Sequence, residues 1–182
     1  MGTAVVTGAA SGIGRNVREQ LEANGDRVVG IDLKNVEVCA DLSTPAGRQA
    51  AISETLEATG GTIDRLVVAA GLGGHVVDGQ LVAAVNYFGA VEVLDGLRSA
   101  LAGRPGASAV AVCSNSAQMG EPKDNPIVLK LLEHDEAGAK ELIGEQPGAV
   151  VYGFINHAPS RSVRRRVNEW AERLHVLAPL ST

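Results

Sequence analysis

The chain has 182 residues, 45% of them hydrophobic and 20% charged, with a formal net charge of −5 and a pI near 5.4; this is the composition of one ordinary globular domain with a core of its own. The acidic balance argues against a nucleic-acid binder, which needs a basic surface to offset phosphate charge. No uncharged apolar run reaches the ~18 residues needed to span a bilayer, so no membrane association is expected.

The N-terminus runs straight into a strand-like segment, with no basic region and cleavage site, as in a cytosolic protein. Met1-Gly2 begins like an acylation signal, but Val6 stands where Ser or Thr belongs. From there, short apolar runs alternate with helical patterns. Thr3–Thr7, Arg27–Ile31, Val36–Cys39, Leu66–Ala70, Ala109–Cys113 and Leu174–Ala178 read as strands. Their apolar content without strict alternation suits a parallel sheet covered on both faces. Ile13–Asn24 is a helix closed by Asn24-Gly25, and Pro45–Thr59 is one opened by Ser43 and Thr44 and closed by Gly60-Gly61. Gln80–Leu101 is the longest helical stretch. Residues 117–148 carry two short helical patterns, Pro126–His134 and Glu136–Ile143, inside a long polar connection of the kind that forms lids or interfaces. A last helix spans roughly Tyr152–Arg173. With no repeat or linker in view, residues 1–182 read as a single dinucleotide-binding domain.

Metal binding and cysteine-pair redox chemistry find no support in the pattern. The histidines 75, 134, 157 and 175 lack ligand spacing, and Cys39 and Cys113 lack a paired spacing and read as small core residues. The arginines at 161, 164, 165, 166 and 173 read as a solvated helix face.

The chemistry-bearing signal follows the first strand. Thr7-Gly8-Ala9-Ala10-Ser11-Gly12-Ile13-Gly14 spaces its glycines as G-x-x-x-G-x-G at a strand-to-helix turn. Glycine allows positive φ there and lets backbone amides and the helix N-terminus approach a pyrophosphate. No Lys-Ser/Thr pair follows, so the turn is not an ATP or GTP loop. Asp32 ends the second strand, 18 residues beyond Gly14, where a carboxylate accepts from ribose hydroxyls and repels a 2′-phosphate. NAD is therefore preferred over NADP, with Arg15 at the helix start as a partial offset.

Taken together these residues resemble the short-chain dehydrogenase/reductase family, from Val5 to the end of the chain. Further matches fall in order: Asp41-Leu42 resembles the adenine-contacting pair, and Ala69-Ala70-Gly71 resembles the Asn-Asn-Ala-Gly turn without its asparagines. Asn86 in Val85-Asn86-Tyr87-Phe88-Gly89 matches the proton-relay asparagine, Ser114 the catalytic serine and Tyr152 the catalytic tyrosine. Ser114 and Tyr152 stand 38 positions apart. With Gly71-Leu72-Gly73 after the fourth strand, that insertion is similar to the branch holding bacterial 3α-hydroxysteroid dehydrogenase/carbonyl reductase. The resemblance implies a doubly wound α/β (Rossmann) fold with strand order 3-2-1-4-5-6. It also implies hydride exchange between NAD(H) and a carbonyl or alcohol substrate, and a homodimer. Gly71–Gly79 and residues 117–148 are expected to border the substrate pocket.

Three features depart from the family. The pattern Tyr-x-x-x-Lys reads here as Tyr152 and Asn156, so the ammonium that lowers the tyrosine's pKa is replaced by a neutral amide. Pro159 lies seven residues beyond Tyr152 and should break the helix, unless the helix starts near Ser160. Ala178-Pro179-Leu180-Ser181-Thr182 resembles the family's Ala-Pro-Gly-x-x-x-Thr without its glycine, and the substrate loop and last strand of typical members do not follow. Two readings compete: a truncated or locally altered version of an ordinary enzyme, and an NAD-binding protein with little or no turnover.

Overall fold

The alternation of short apolar strands with capped helices builds a doubly wound sheet. In a computed structural model, residues 2–102, 104–118, 124–170 and 174–177 are described, without side chains for 167–169 and 174–177. Six strands are present among them: β1 (Thr3–Thr7), β2 (Arg27–Asp32), β3 (Val38–Cys39), β4 (Arg65–Val68), β5 (Ser108–Val112) and β6 (Leu174–Leu177). Their order is β3-β2-β1-β4-β5-β6 and every pairing is parallel. Alternate side chains of β1 and β2 enter different cores. Val5, Val29 and Ile31 join one, whereas Ala4, Val6 and Val28 join another with Val17 and Leu21 of helix α1 (Gly12–Ala23). The first of these cores also takes Ala51 of α2 (Pro45–Thr59) and Val93, Leu94 and Leu97 of α4 (Ala90–Leu101).

Helix ends follow the sequence signals. Thr44 Oγ1 accepts from the Gly47 amide at 3.0 Å, and Gly60 closes α2 in the left-handed conformation. The long helical stretch differs from expectation: α3 (Gly79–Ala83) and α4 are joined by a π-helical turn over Ala84–Gly89, which carries Asn86. Such turns hold a widened backbone spacing inside a helix and concentrate at functional sites. The third strand starts at Val38 rather than Val36. Cys39 is exposed, so only Cys113 is the buried small residue expected of both.

Residues 117–148 supply α5 (Pro126–Leu132) and α6 (Glu136–Ile143). Their apolar faces form a third core with Val82, Phe88, Val151 and Ile155. The anchor is Arg48 of α2, only 1% exposed, whose guanidinium meets Glu92 of α4 at 2.8 Å and Glu136 of α6, and lies over the Phe88 ring. Buried charge on this scale is tolerable only when paired.

The last helix, α7, runs unbroken from Gly148 to Trp170, with Pro159 inside it and no restart near Ser160. A proline there costs about 3 kcal/mol in lost bonding and steric clash. Burial of Val151, Ile155, Ala158 and Val163 opposes it, at about 1.5–3 kcal/mol for each larger aliphatic side chain. Tertiary packing thus overrides the local signal. On the basic run, Arg164 and Arg165 are exposed as expected, whereas Arg166 pairs with both carboxylate oxygens of Asp95. Arg173 and the stretch 178–182 lie outside the described residues.

Candidate active site

At the carboxyl ends of β1 and β4 the chain leaves the sheet in opposite directions, and a cleft opens at this switch point. Its first part is a groove of about 590 Å³, lined by Gly8, Ser11, Gly12 and Ile13 on one side, by Asp32, Asp41 and Leu42 on another, and by Ala70 and Gly71. These are nine of the ten residues assigned to cofactor binding from sequence. The tenth, Gly14, acts from behind: a Cβ there would lie 2.2 Å from the Gly8 carbonyl oxygen, so glycine is what lets α1 start against the loop. Gly12 has φ +54° with open space around the position a Cβ would take. Ser11, the N-cap, spends no side-chain bond on the helix, and α1 has no acidic residue in its first turn. A dinucleotide's pyrophosphate fits such a turn, because amides and the helix dipole face open space without a competing anion.

The Asp32 carboxylate accepts from the Ala10 amide at 3.0 Å and from the Leu33 amide at 2.7 Å, which ties the strand end to the glycine loop. Each oxygen keeps capacity for a further donor such as a ribose hydroxyl. Arg15 points away along α1 to Glu19 in an exposed ion pair at 3.7 Å, so the offset to Asp32 foreseen for it finds no support. Asp41 Oδ1 accepts from the Ser43 amide at 2.9 Å, shaping the bend that carries Leu42. One residue of the motif proves more important than its sequence reading: the buried Thr7 hydroxyl accepts from the amides of Ala69 and Ala70 at 3.0 and 2.9 Å, clamping the two strand ends together.

The groove opens into a second cavity of about 400 Å³ that shares Ile13 and residues 69–72 with it. Asn86, Cys113, Ser114, Tyr152 and Asn156 line this cavity. The four residues expected to do chemistry are therefore brought to one place. Tyr152 and Asn156, four apart on α7, share a helix face as the spacing requires. Asn156 is buried and its Nδ2 donates to the Tyr152 carbonyl at 2.8 Å, so the amide is turned to its own backbone. Asn86 Oδ1 accepts from the Leu72 amide at 2.7 Å and its Nδ2 donates to the Leu72 carbonyl at 2.9 Å. That pair fixes the loop roofing the cavity. Gly74 of the same loop passes so near the Tyr152 ring that a Cβ would lie 3.3 Å from Cγ. Burial pushes the Cys113 thiol up to about 11, opposed only by Arg164, so it stays protonated at neutral pH.

The pocket expectation is met in part among the described residues, and positions 119–123 of the segment lie outside them. Gly71, Leu72 and Gly73 do line the second cavity, but no described residue of 117–148 lines it or the groove. The insertion instead buries its apolar faces against the π-helical turn and α7, because its leucines and isoleucines gain more there than in a solvated rim. Sequence reading also gave no role to Ser116, whose hydroxyl lies 2.9 Å from that of Ser114. A second polar residue two positions beyond a candidate serine is its only trace in the sequence. No cluster of three potential metal ligands occurs among the described residues.

This arrangement is that of a dinucleotide-dependent dehydrogenase fold. The short chain dehydrogenase family model matches residues 2–126, and the chain belongs to that family. Among its relatives is 3-alpha-hydroxysteroid dehydrogenase/carbonyl reductase of Comamonas testosteroni, 40% identical over 189 residues, covering all of this chain and 73% of the relative. Coniferyl-alcohol dehydrogenase of a Pseudomonas species (strain HR199) is 40% identical over 116 residues, 60% of this chain and 43% of that protein. The crystal structure of 3-alpha-hydroxysteroid dehydrogenase from Pseudomonas sp. B-0831, complexed with NADH, superposes with a TM-score of 0.94 at 40% identity, over 98% of this chain and 72% of that one.

Proposed function

We propose that the protein is an NAD(H)-dependent oxidoreductase that transfers a hydride between the cofactor and a secondary alcohol or ketone, of the hydroxysteroid dehydrogenase/carbonyl reductase kind. The observation that carries this reading is the continuity of the cleft: a nucleotide-sized groove built from backbone opens directly onto a cavity holding a serine and a tyrosine. When bound, the nicotinamide supplies or accepts the hydride. Gly8, Ser11, Gly12, Ile13 and Gly14 form the phosphate cradle, Asp32 takes the ribose, and Asp41, Leu42, Ala70 and Gly71 flank the adenosine and the approach to the cavity.

In this reading the chain's own work is proton transfer and charge stabilisation. The Tyr152 hydroxyl donates to, or accepts from, the substrate oxygen, and the Ser114 hydroxyl holds that oxygen while charge develops on it. Asn86 orders the loop above and lies where a relay of protons out of the cavity begins. Asn156 holds the lysine position without its charge, so Tyr152 lacks the nearest cation that would favour its phenolate. The relatives whose names speak of hydroxysteroids and carbonyls support a small-molecule ketone or alcohol as substrate. As one domain, the protein is read as a cytoplasmic homodimer. That reading is supported by the resemblance. Sedimentation should give a dimer; a monomer or tetramer would contradict this part.

The test is a steady-state assay of the chain with NADH and a panel of ketones that includes a 3-ketosteroid, following loss of NADH absorbance. Turnover that disappears in Tyr152→Phe is expected. NADH binding with no turnover on any ketone would favour the second reading, a cofactor-binding protein. The observation behind that reading is the Asn156 amide spent on the Tyr152 carbonyl.

A further inference from the structure

A hydroxyl group carries one hydrogen to donate and two positions at which to accept. Ser114 Oγ accepts twice from the same neighbour: from the Ser116 amide at 3.2 Å and from the Ser116 hydroxyl at 2.9 Å. With the Ser116 hydroxyl as the donor of that pair, both accepting positions are filled, and no other described group accepts the hydrogen of Ser114 itself. Ser114 lines the cavity, so that hydrogen is left to a group inside it.

The turn that presents Ser116 is itself held from α7. The Ala117 amide closes it onto the Ser114 carbonyl at 3.2 Å. The Ser116 carbonyl oxygen sits where a Cβ on residue 153 would come within 3.2 Å, so Gly153 permits the approach. His157 Nδ1 lies 2.9 Å from the Ala117 carbonyl, and since a carbonyl only accepts, the ring donates from that nitrogen. The helix that carries Tyr152 thereby also fixes the turn that aims Ser114.

We propose that Ser116 is a positioning residue that makes Ser114 a dedicated hydrogen-bond donor toward the substrate oxygen. The inference rests on the role given to Ser114 under the proposed function. Without the Ser116 hydroxyl, Ser114 would keep one accepted bond from the amide and would rotate, so that its hydrogen points into the cavity only part of the time. An oxygen-stabilising donor acts through being fixed before the reaction, and a donor free to turn forfeits part of that benefit.

The experiment is isotope-edited infrared spectroscopy of a carbonyl-labelled ketone bound to the full chain with NAD⁺, which holds no hydride to transfer, so the readout needs no turnover. Ser114→Ala, Ser116→Ala and the shape-matched pair Ser116→Thr and Ser116→Val are compared, with the Thr/Val pair standing in should the alanine variant fail to fold. The expected result is a carbonyl band lowered in frequency in the parent chain, not lowered in Ser114→Ala, and intermediate or broadened in Ser116→Ala and Ser116→Val. Ser116→Thr restores it. Where turnover is measurable, Ser116→Val should lose about tenfold in kcat with NADH affinity unchanged. Parent-like bands in Ser116→Ala and Ser116→Val, with Ser114→Ala shifted, would overturn the positioning role and leave the reading of Ser114 standing. A band unchanged in Ser114→Ala, or no bound-ketone band at all, would overturn both.

Discussion

The two halves of the cleft are built from different materials. The phosphate end of the nucleotide groove is made of backbone, positive-φ glycine and uncapped amides at the start of α1, with the strand ends behind it held by the Thr7 hydroxyl. The reaction cavity depends on single side chains from α7 and the turn after β5. A site made of backbone persists as long as the fold does, whereas one made of side chains can change function at one position without disturbing the fold. Asn156 is such a position: α7 continues past it and past Pro159 into its normal packing.

The largest expected effect breaks the first half. Gly14→Ala places a methyl 2.2 Å from the Gly8 carbonyl, a contact with backbone that no rotamer relieves. Overpacking of this kind costs about 3 kcal/mol, and NADH binding should fall at least about hundredfold, as measured by calorimetry beside a thermal melt. Unchanged affinity would show that the groove is not the nucleotide site. Asn156→Lys sharpens the other half. Restoring an ammonium one turn from Tyr152 should raise kcat by about hundredfold, since each pKa unit on an acid/base group is worth about 1.4 kcal/mol. A variant no faster than the parent would mean that the missing charge is not what limits the reaction.

A change beneath both halves tests stability alone. Arg48→Met leaves the Glu92 and Glu136 carboxylates without their shared cation, at a cost of about 3 kcal/mol in denaturant melts near neutral pH. Desolvation pulls the Glu136 carboxyl up, but Lys140 and Arg48 together outweigh it and hold the group below its ordinary 4.5. A lowered folded pKa contributes stability above the unfolded value that is lost as pH falls through the folded one. The gap between Arg48→Met and the parent should therefore narrow below about pH 4.5, and a gap independent of pH would argue against the ion cluster. The smallest effect is local: a thiol reagent at neutral pH should modify exposed Cys39 quickly, while Cys113 reacts only on unfolding. Rapid modification of both would mean that the cavity wall is open.

Sequence alone conveyed the groove almost whole, because glycine spacing and capping residues act over a few positions and leave a local trace. Pro45–Thr59 begins and ends where its caps say, and Glu136–Ile143 keeps the bounds of its helical pattern. The reaction cavity was legible as residues but not as partners. The Asn86 clamp on Leu72 depends on a loop 14 positions away in sequence, and Arg48 reaches Glu92 and Glu136 at separations of 44 and 88. No local pattern announces such contacts. The π-helical turn escaped because its apolar positions still fit an α-helical period. Pro159 misled because a strong local breaker was weighed without the burial around it.

The measurement that bears most directly on the account is calorimetric titration of the chain with NADH and, separately, NADPH. One-to-one binding of NADH, weakened or lost with NADPH because its 2′-phosphate meets the Asp32 carboxylate, is predicted. Binding of neither nucleotide, or preference for NADPH, would contradict it.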